Sequence, residues 1–104
     1  MSRKKFNPYQ RAVALKYSPG DVAPSVVAKG TGYVAERILE KGEASDIPVY
    51  KDPELASELT RLEIGENIPP ELYEVVAQVL IFISDLDRME EYRRGTGINS
   101  NEQR

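Results

Sequence analysis

The sequence contains no cysteine, no histidine and no tryptophan. Without thiols it forms neither disulfides nor thiolate nucleophiles, and without imidazoles it lacks the side chain that exchanges protons most readily near neutral pH. The usual zinc and transition-metal ligand sets go with them, so neither a metal nor a cofactor is expected. An excess of positive charge is also missing, since 14 Lys and Arg face 17 Asp and Glu for a formal net charge of -3. The densest basic group is Arg3, Lys4 and Lys5, too small a surface to neutralise a phosphate backbone, so nucleic acid is not an expected partner.

Long apolar runs are absent as well. The most apolar stretch, Val75 to Ile83, is broken by Gln78 and bounded by Glu74 and Asp85, well short of the roughly 20 residues needed to cross a bilayer. The N-terminus has basic residues with no apolar stretch behind them, which is not the pattern of a secretory signal, and cytoplasmic residence is expected. What is present suits one small domain: 104 residues, 40% hydrophobic and 30% charged, with Gly and Pro scattered between apolar stretches as turn punctuation.

The apolar run Ala12-Val13-Ala14-Leu15, closed by the turn Ser18-Pro19-Gly20-Asp21, predicts a central strand over Arg11 to Tyr17, buried on both faces. Val26 to Lys29 predicts a second strand, stopped by Gly30-Thr31-Gly32, with Thr31 as the cap of the next helix. Val34, Ala35, Ile38 and Leu39 recur at helical spacing, predicting that helix from Tyr33 to Lys41 with Gly42 as its left-handed stop. Ile47 to Tyr50 reads as an edge strand, because Pro48 cannot donate to a ladder. Asp52 then Pro53 predicts a capped helix to about Leu62, and a brief strand is expected at Glu63 to Gly65. Pro69 and Pro70 open the longest helix, with Leu72, Val76, Val79, Leu80, Ile83 and Leu86 on one stripe.

The resulting expectation is an α/β domain, a small mixed and partly parallel sheet of about four strands packed with three to four helices. It should occupy residues 7–89, between a flexible basic tail at 1–6 and a polar, disordered tail at 90–104. One nucleotide-like feature competes for attention. A strand, then Gly30-Thr31-Gly32 opening a helix, then a strand ending near Asp52 matches a dinucleotide fingerprint. Two glycines beside a helix also arise for backbone reasons alone, and about four strands leave no room for the second half of such a fold.

Taken as one string, Asn7-Pro8, Ala12 to Tyr17, Ala23-Pro24 and Val26 to Gly30 resemble the cytoplasmic domain of the FlhB/YscU family. The resemblance continues through Ile47-Pro48-Val49, Asp52 to Ala56, Glu63-Ile64-Gly65, Ile68-Pro69 and Glu71 to Leu80, covering roughly Asn7 to Ile83. It implies a component of flagellar type III protein export. The implied partners are export substrates, export-gate proteins and a full-length FlhB, met at the inner face of the cytoplasmic membrane.

Family members carry four membrane helices before this domain and cut their own backbone within an Asn-Pro-Thr-His motif, which changes the substrates exported. That chemistry needs the Asn side-chain nitrogen to attack its own carbonyl and expel the Pro nitrogen, helped by a strained turn and proton-transfer groups. Asn7 and Pro8 match the motif, but Tyr9 and Gln10 stand where the family has Thr and His. Gln cannot exchange a proton near neutral pH, so the expectation is a docking domain held in a state like the cleaved fragment, and not an enzyme. Residual Asn-Pro self-cleavage, or nucleotide binding through Gly30-Thr31-Gly32, is the alternative. The resemblance also assigns a substrate-binding patch to Ala23, Pro24, Ala77 and Leu80; Ala77 and Leu80 share a helix face. Ala23 and Pro24, on a turn, are expected at the surface, whereas Leu80 also fits the core stripe.

Overall fold

A computed structural model describes residues 6–93, with side-chain detail for residues 6–84. The chain divides into two units, residues 1–73 and 74–104. In the first, strand β1 (Arg11–Lys16) pairs antiparallel with strand β2 (Ser25–Thr31), followed by helix α1 (Tyr33–Ala44) and helix α2 (Pro53–Leu59). A single 3-10 turn, Pro70–Leu72, leads into helix α3 (Tyr73–Arg93), which makes up the described part of the second unit. Helix α3 continues to Arg93, past the expected domain boundary at Met89. Residues 1–5 and 94–104, the greater part of the two expected tails, lie outside the described residues.

The sheet is smaller than the sequence suggests. Among the described residues it has two strands and no parallel pair, where about four partly parallel strands were expected. Both strands form where the sequence has continuous apolar, β-branched runs, but β1 sits at an edge and not at the centre. Ile47 to Tyr50 has strand-like composition and forms no strand, because no neighbour runs beside it among the described residues to complete a ladder. The expected strand at Glu63 to Gly65 is instead a turn. Its continuation nonetheless lies along β2: Val26 N–H donates to Glu66 O at 3.0 Å, Gly65 N–H to Val26 O at 2.7 Å, and Ser25 bridges to Asn67.

Helix boundaries follow local chemistry. Asp52 caps α2 as expected, its Oδ1 accepting the Leu55 N–H at 3.1 Å, with Pro53 at the first helical position. Helix α2 ends at Leu59, short of Leu62, and Lys29 closes its end: Nζ donates to Thr60 O at 3.1 Å and Leu62 O at 2.7 Å. Thr60 is the C-terminal cap residue, whose carbonyl a helix leaves without a partner, and Leu62 lies in the turn just beyond; one cation meets both.

At α1 two cap expectations are corrected. The cap position is Gly32, without a side-chain cap bond, because the helix starts one residue later than a Thr31 cap would require. Gly42 lies inside the helix, and the left-handed residue is Asp46, at φ 61°. Asp46 N–H donates to Glu43 O and Ile47 N–H to Gly42 O, the paired bonds by which a left-handed residue closes a helix. In the first unit Ala12, Ala23, Val26, Ala35, Leu59 and Ile68 are buried; in the second, Val76 is.

Candidate functional site

The Asn7-Pro8 pair sits in a tight turn immediately before β1. Gln10 N–H donates to Asn7 O at 3.2 Å, and Tyr9 N–H donates to Asn7 Oδ1 at 2.9 Å. Asn at the first position with Pro at the second is the composition such a turn favours. None of the four residues has a positive φ, so the turn carries no left-handed strain. Asn7, Pro8 and Tyr9 are exposed, Tyr9 by 80%.

This turn rests on the start of α1. Gly32 N–H donates to Gln10 O at 2.7 Å, extending the ladder of β1 and β2 by one rung. Gly32 has φ 63°, and a Cβ on it would stand 3.0 Å from Pro8 O. Gly30 is equally constrained, since a Cβ there would meet Val34 Cβ at 2.7 Å. Both glycines are therefore required by packing: one lets the turn approach the helix start, the other lets α1 approach its own preceding strand.

The described residues do not reproduce the full dinucleotide-binding arrangement. A dinucleotide fingerprint needs a second strand parallel to the first and an open helix N-terminus. Here β2 pairs antiparallel with β1, residues 47–50 are not a strand, and the Gly32 N–H is already bonded under the Asn7 turn. Two surface depressions, one lined by Val34, Arg37, Ile38, Glu40 and Lys41, the other by Lys16, Gly20, Asp21, Val22, Ala23, Ser25 and Asn67, include none of Gly30, Thr31 or Gly32.

The patch residues divide between the units. In the first, Ala23 is 5% exposed and Pro24 is buried, contrary to their expected surface position; Pro24 O accepts the Ile68 N–H at 2.9 Å. The loop's apolar exposure comes from Val22, at 87%. A loop residue becomes buried here because the segment at 65–68 lies along it. In the second unit Ala77 is exposed and Leu80 half-buried on α3, with Ile81 exposed one turn beyond Ala77. Sequence reasoning missed Val22 and the support Gly32 gives the turn. The first is a single apolar residue in a polar loop, visible in retrospect, but the second joins positions 24 residues apart and leaves no local signal.

Among the described residues no helix is long and apolar enough to cross a membrane, and no grouping of Asp and Glu could hold a metal ion. The fold is a mixed α/β domain, and its matches fix the class. A family model described as the FlhB HrpN YscU SpaS Family matches residues 6–83. The chain is 46% identical over 79 residues to the flagellar biosynthetic protein FlhB of Aquifex aeolicus, covering 74% of this chain and 23% of that protein. It is 38% identical over 85 residues to the uncharacterised protein YlqH of Bacillus subtilis, covering 81% of this chain and 91% of YlqH. The crystal structure of the cytoplasmic domain of FlhB from Shewanella putrefaciens superposes with a TM-score of 0.76 at 33% identity, over 80% of this chain and 69% of that one.

This chain belongs to the FlhB/YscU family. It spans less than a quarter of the length of the FlhB proteins from Aquifex aeolicus and Escherichia coli, 23% and 22% respectively, and most of YlqH.

Proposed function

We propose that this chain is a docking component of a flagellar or type III protein-export apparatus, held in a state like the cleaved fragment of its self-cleaving relatives. The observation that carries the reading is the Asn7 turn. It keeps the Asn-Pro bond but has Tyr9 and Gln10 in place of Thr and His, and no residue in it has a left-handed φ. Attack of Asn7 Nδ2 on the Asn7 carbonyl carbon would form a succinimide and release the Pro8 nitrogen, which must gain a proton as it leaves. With no histidine in the chain, the group that normally serves such a transfer near neutrality is missing. A turn with no left-handed residue contributes no strain of that kind.

The test is intact-mass measurement during prolonged incubation at neutral pH. We expect the mass to stay constant, as for an Asn7→Ala control. Loss of residues 1–7 from the native chain alone would sink the reading.

Docking itself is assigned to two sets of residues. On α3, exposed Ala77 with half-buried Leu80 offers a small apolar surface for a short apolar peptide segment. On the loop before β2, Ala23 and Pro24 shape the backbone while Val22 is the side chain a ligand can touch. The partners are export substrates, export-gate proteins and a full-length FlhB, engaged in the cytoplasm at the inner face of the membrane. Ala77→Asp should weaken substrate binding at least about tenfold, the cost of leaving one charge unpaired in an apolar contact, while the melting temperature stays put. Unchanged binding in a folded variant removes α3 from the docking surface.

A further inference from the structure

Lys16 is the last residue of β1 and Ser25 the first of β2, and the two stand opposite each other in the ladder. On its other side Ser25 is bridged to Asn67. Residues directly opposite one another on antiparallel segments turn their side chains to the same face, with Cβ atoms about 5 Å apart. Lys16, Ser25 and Asn67 therefore form a polar row across three adjacent segments, assembled by pairing from distant positions in the chain. All three line one surface depression, together with Asp21, Val22 and Ala23, and no residue of α1 or α2 lines it.

The row has unused bonding capacity. Among the described residues, the side chains of Lys16, Ser25 and Asn67 make no hydrogen bond or ion pair. Neighbouring acidic groups are already engaged: Asp21 Oδ2 accepts the Ser18 N–H at 2.9 Å, and Glu66 Oε1 accepts the Glu63 N–H at 2.8 Å. An ammonium, a hydroxyl and a carboxamide all supply donors, which suits a group that only accepts. Asp21 sets a limit on the charge of that group. One cation and one carboxylate line the depression, so a phosphate or other multiply charged anion meets repulsion where a single carboxylate meets three donor side chains. Beside the row, Val22 offers an apolar side chain at 87% exposure.

We propose that Lys16, Ser25 and Asn67 bind a single carboxylate of a polypeptide ligand, with the ligand's adjacent apolar side chain resting on Val22. A C-terminal apolar residue and an internal acidic residue beside an apolar one both present that chemistry. The inference rests on the reading of the loop before β2 as a docking element and names the polar half of what docks there; it needs neither Ala77 nor Leu80.

The experiment uses the full 104-residue chain, labelled with nitrogen-15, and three N-acetylated tetrapeptides at millimolar concentration. The first is three alanines and a leucine with a free C-terminus, the second is its C-terminal amide, and the third is that amide with glutamate in place of the alanine before leucine. The free acid, the glutamate peptide or both should shift the backbone signals of Lys16, Ser25 and Asn67, and the one that does so identifies the source of the carboxylate. The plain amide should bind at least about threefold more weakly, the scale of one exposed charge contact. Lys16→Gln should lower the affinity for the carboxylate peptide by about threefold to fivefold. Ser25→Ala combined with Asn67→Ala should do so by a similar factor, in variants whose remaining spectrum shows the native fold. Added salt should weaken the carboxylate peptide and leave the amide unchanged. Unchanged affinity in Lys16→Gln overturns the proposal. Equal binding of all three peptides, reduced in each case by Val22→Ser, overturns the carboxylate and keeps the docking loop. Absence of any shift around residues 16–25 with every peptide overturns both.

Discussion

Two short segments of this chain have nearly the same credentials for a strand and different fates. Val26 to Lys29 and Ile47 to Tyr50 are both rich in β-branched residues, and the sequence predicts a strand at each. The first became part of β2, with β1 on one edge and the 65–67 segment along the other. The second has no ladder among the described residues and leaves Ile47, Val49 and Tyr50 exposed by 42 to 58%. Strand propensity measures how well a residue suits a pleated, half-buried surface, and that surface exists only where a neighbour supplies it. Pro48, with no N–H to offer, further weakens the second segment as a partner.

The sharpest way to break this comparison is to delete the same two methyl groups from each segment. Val26 is fully buried, at 0% exposure. Val26→Ala should cost about 2–3 kcal/mol from lost burial and the cavity left behind. For a domain of this size that lowers the melting temperature by about 8 to 24 °C, read by thermal denaturation followed by circular dichroism. A loss below about 0.5 kcal/mol would mean that pairing and not packing holds β2 in place.

The next largest effect probes how closely α1 follows β2. Gly30→Ala introduces a Cβ 2.7 Å from Val34 Cβ and 3.2 Å from the Val34 backbone carbon. A rotamer change at Val34 relieves neither contact, so helix and strand must separate, at a cost of about 1–2 kcal/mol. Gly32→Ala acts through φ 63° and the Pro8 carbonyl oxygen 3.0 Å from the new Cβ, and should cost about 1 kcal/mol. Its specific signature is loss of exchange protection at the Gly32 position's own amide, which now bonds to Gln10 O. If that amide stays protected, the Asn7 turn does not depend on Gly32.

Much of this organisation was legible. The family resemblance runs from Asn7 to Ile83, and the family model matches residues 6–83. Asp52-Pro53 identified a helix start because a carboxylate cap followed by a fixed φ is a local signal that needs no tertiary partner. Local signals failed where geometry is shared between distant segments. Ala23 and Pro24 look like loop surface until Ile68 is known to bond to Pro24 O. Gly42 looks like a helix stop until Asp46 takes the left-handed position four residues on. The expectation of a central β1 failed in the same way: its continuous apolar run predicts neighbours on both sides, and among the described residues it has one.

The smallest predicted effect completes the comparison. Val49 is 48% exposed in a segment without a described ladder, so Val49→Ala removes atoms that are largely in water already. The cost should be within about 0.5 kcal/mol, as for surface positions generally, and the melting temperature should move by less than about 4 °C. The difference between the Val26 and Val49 variants then measures what a neighbour contributes to one valine in a β-prone segment.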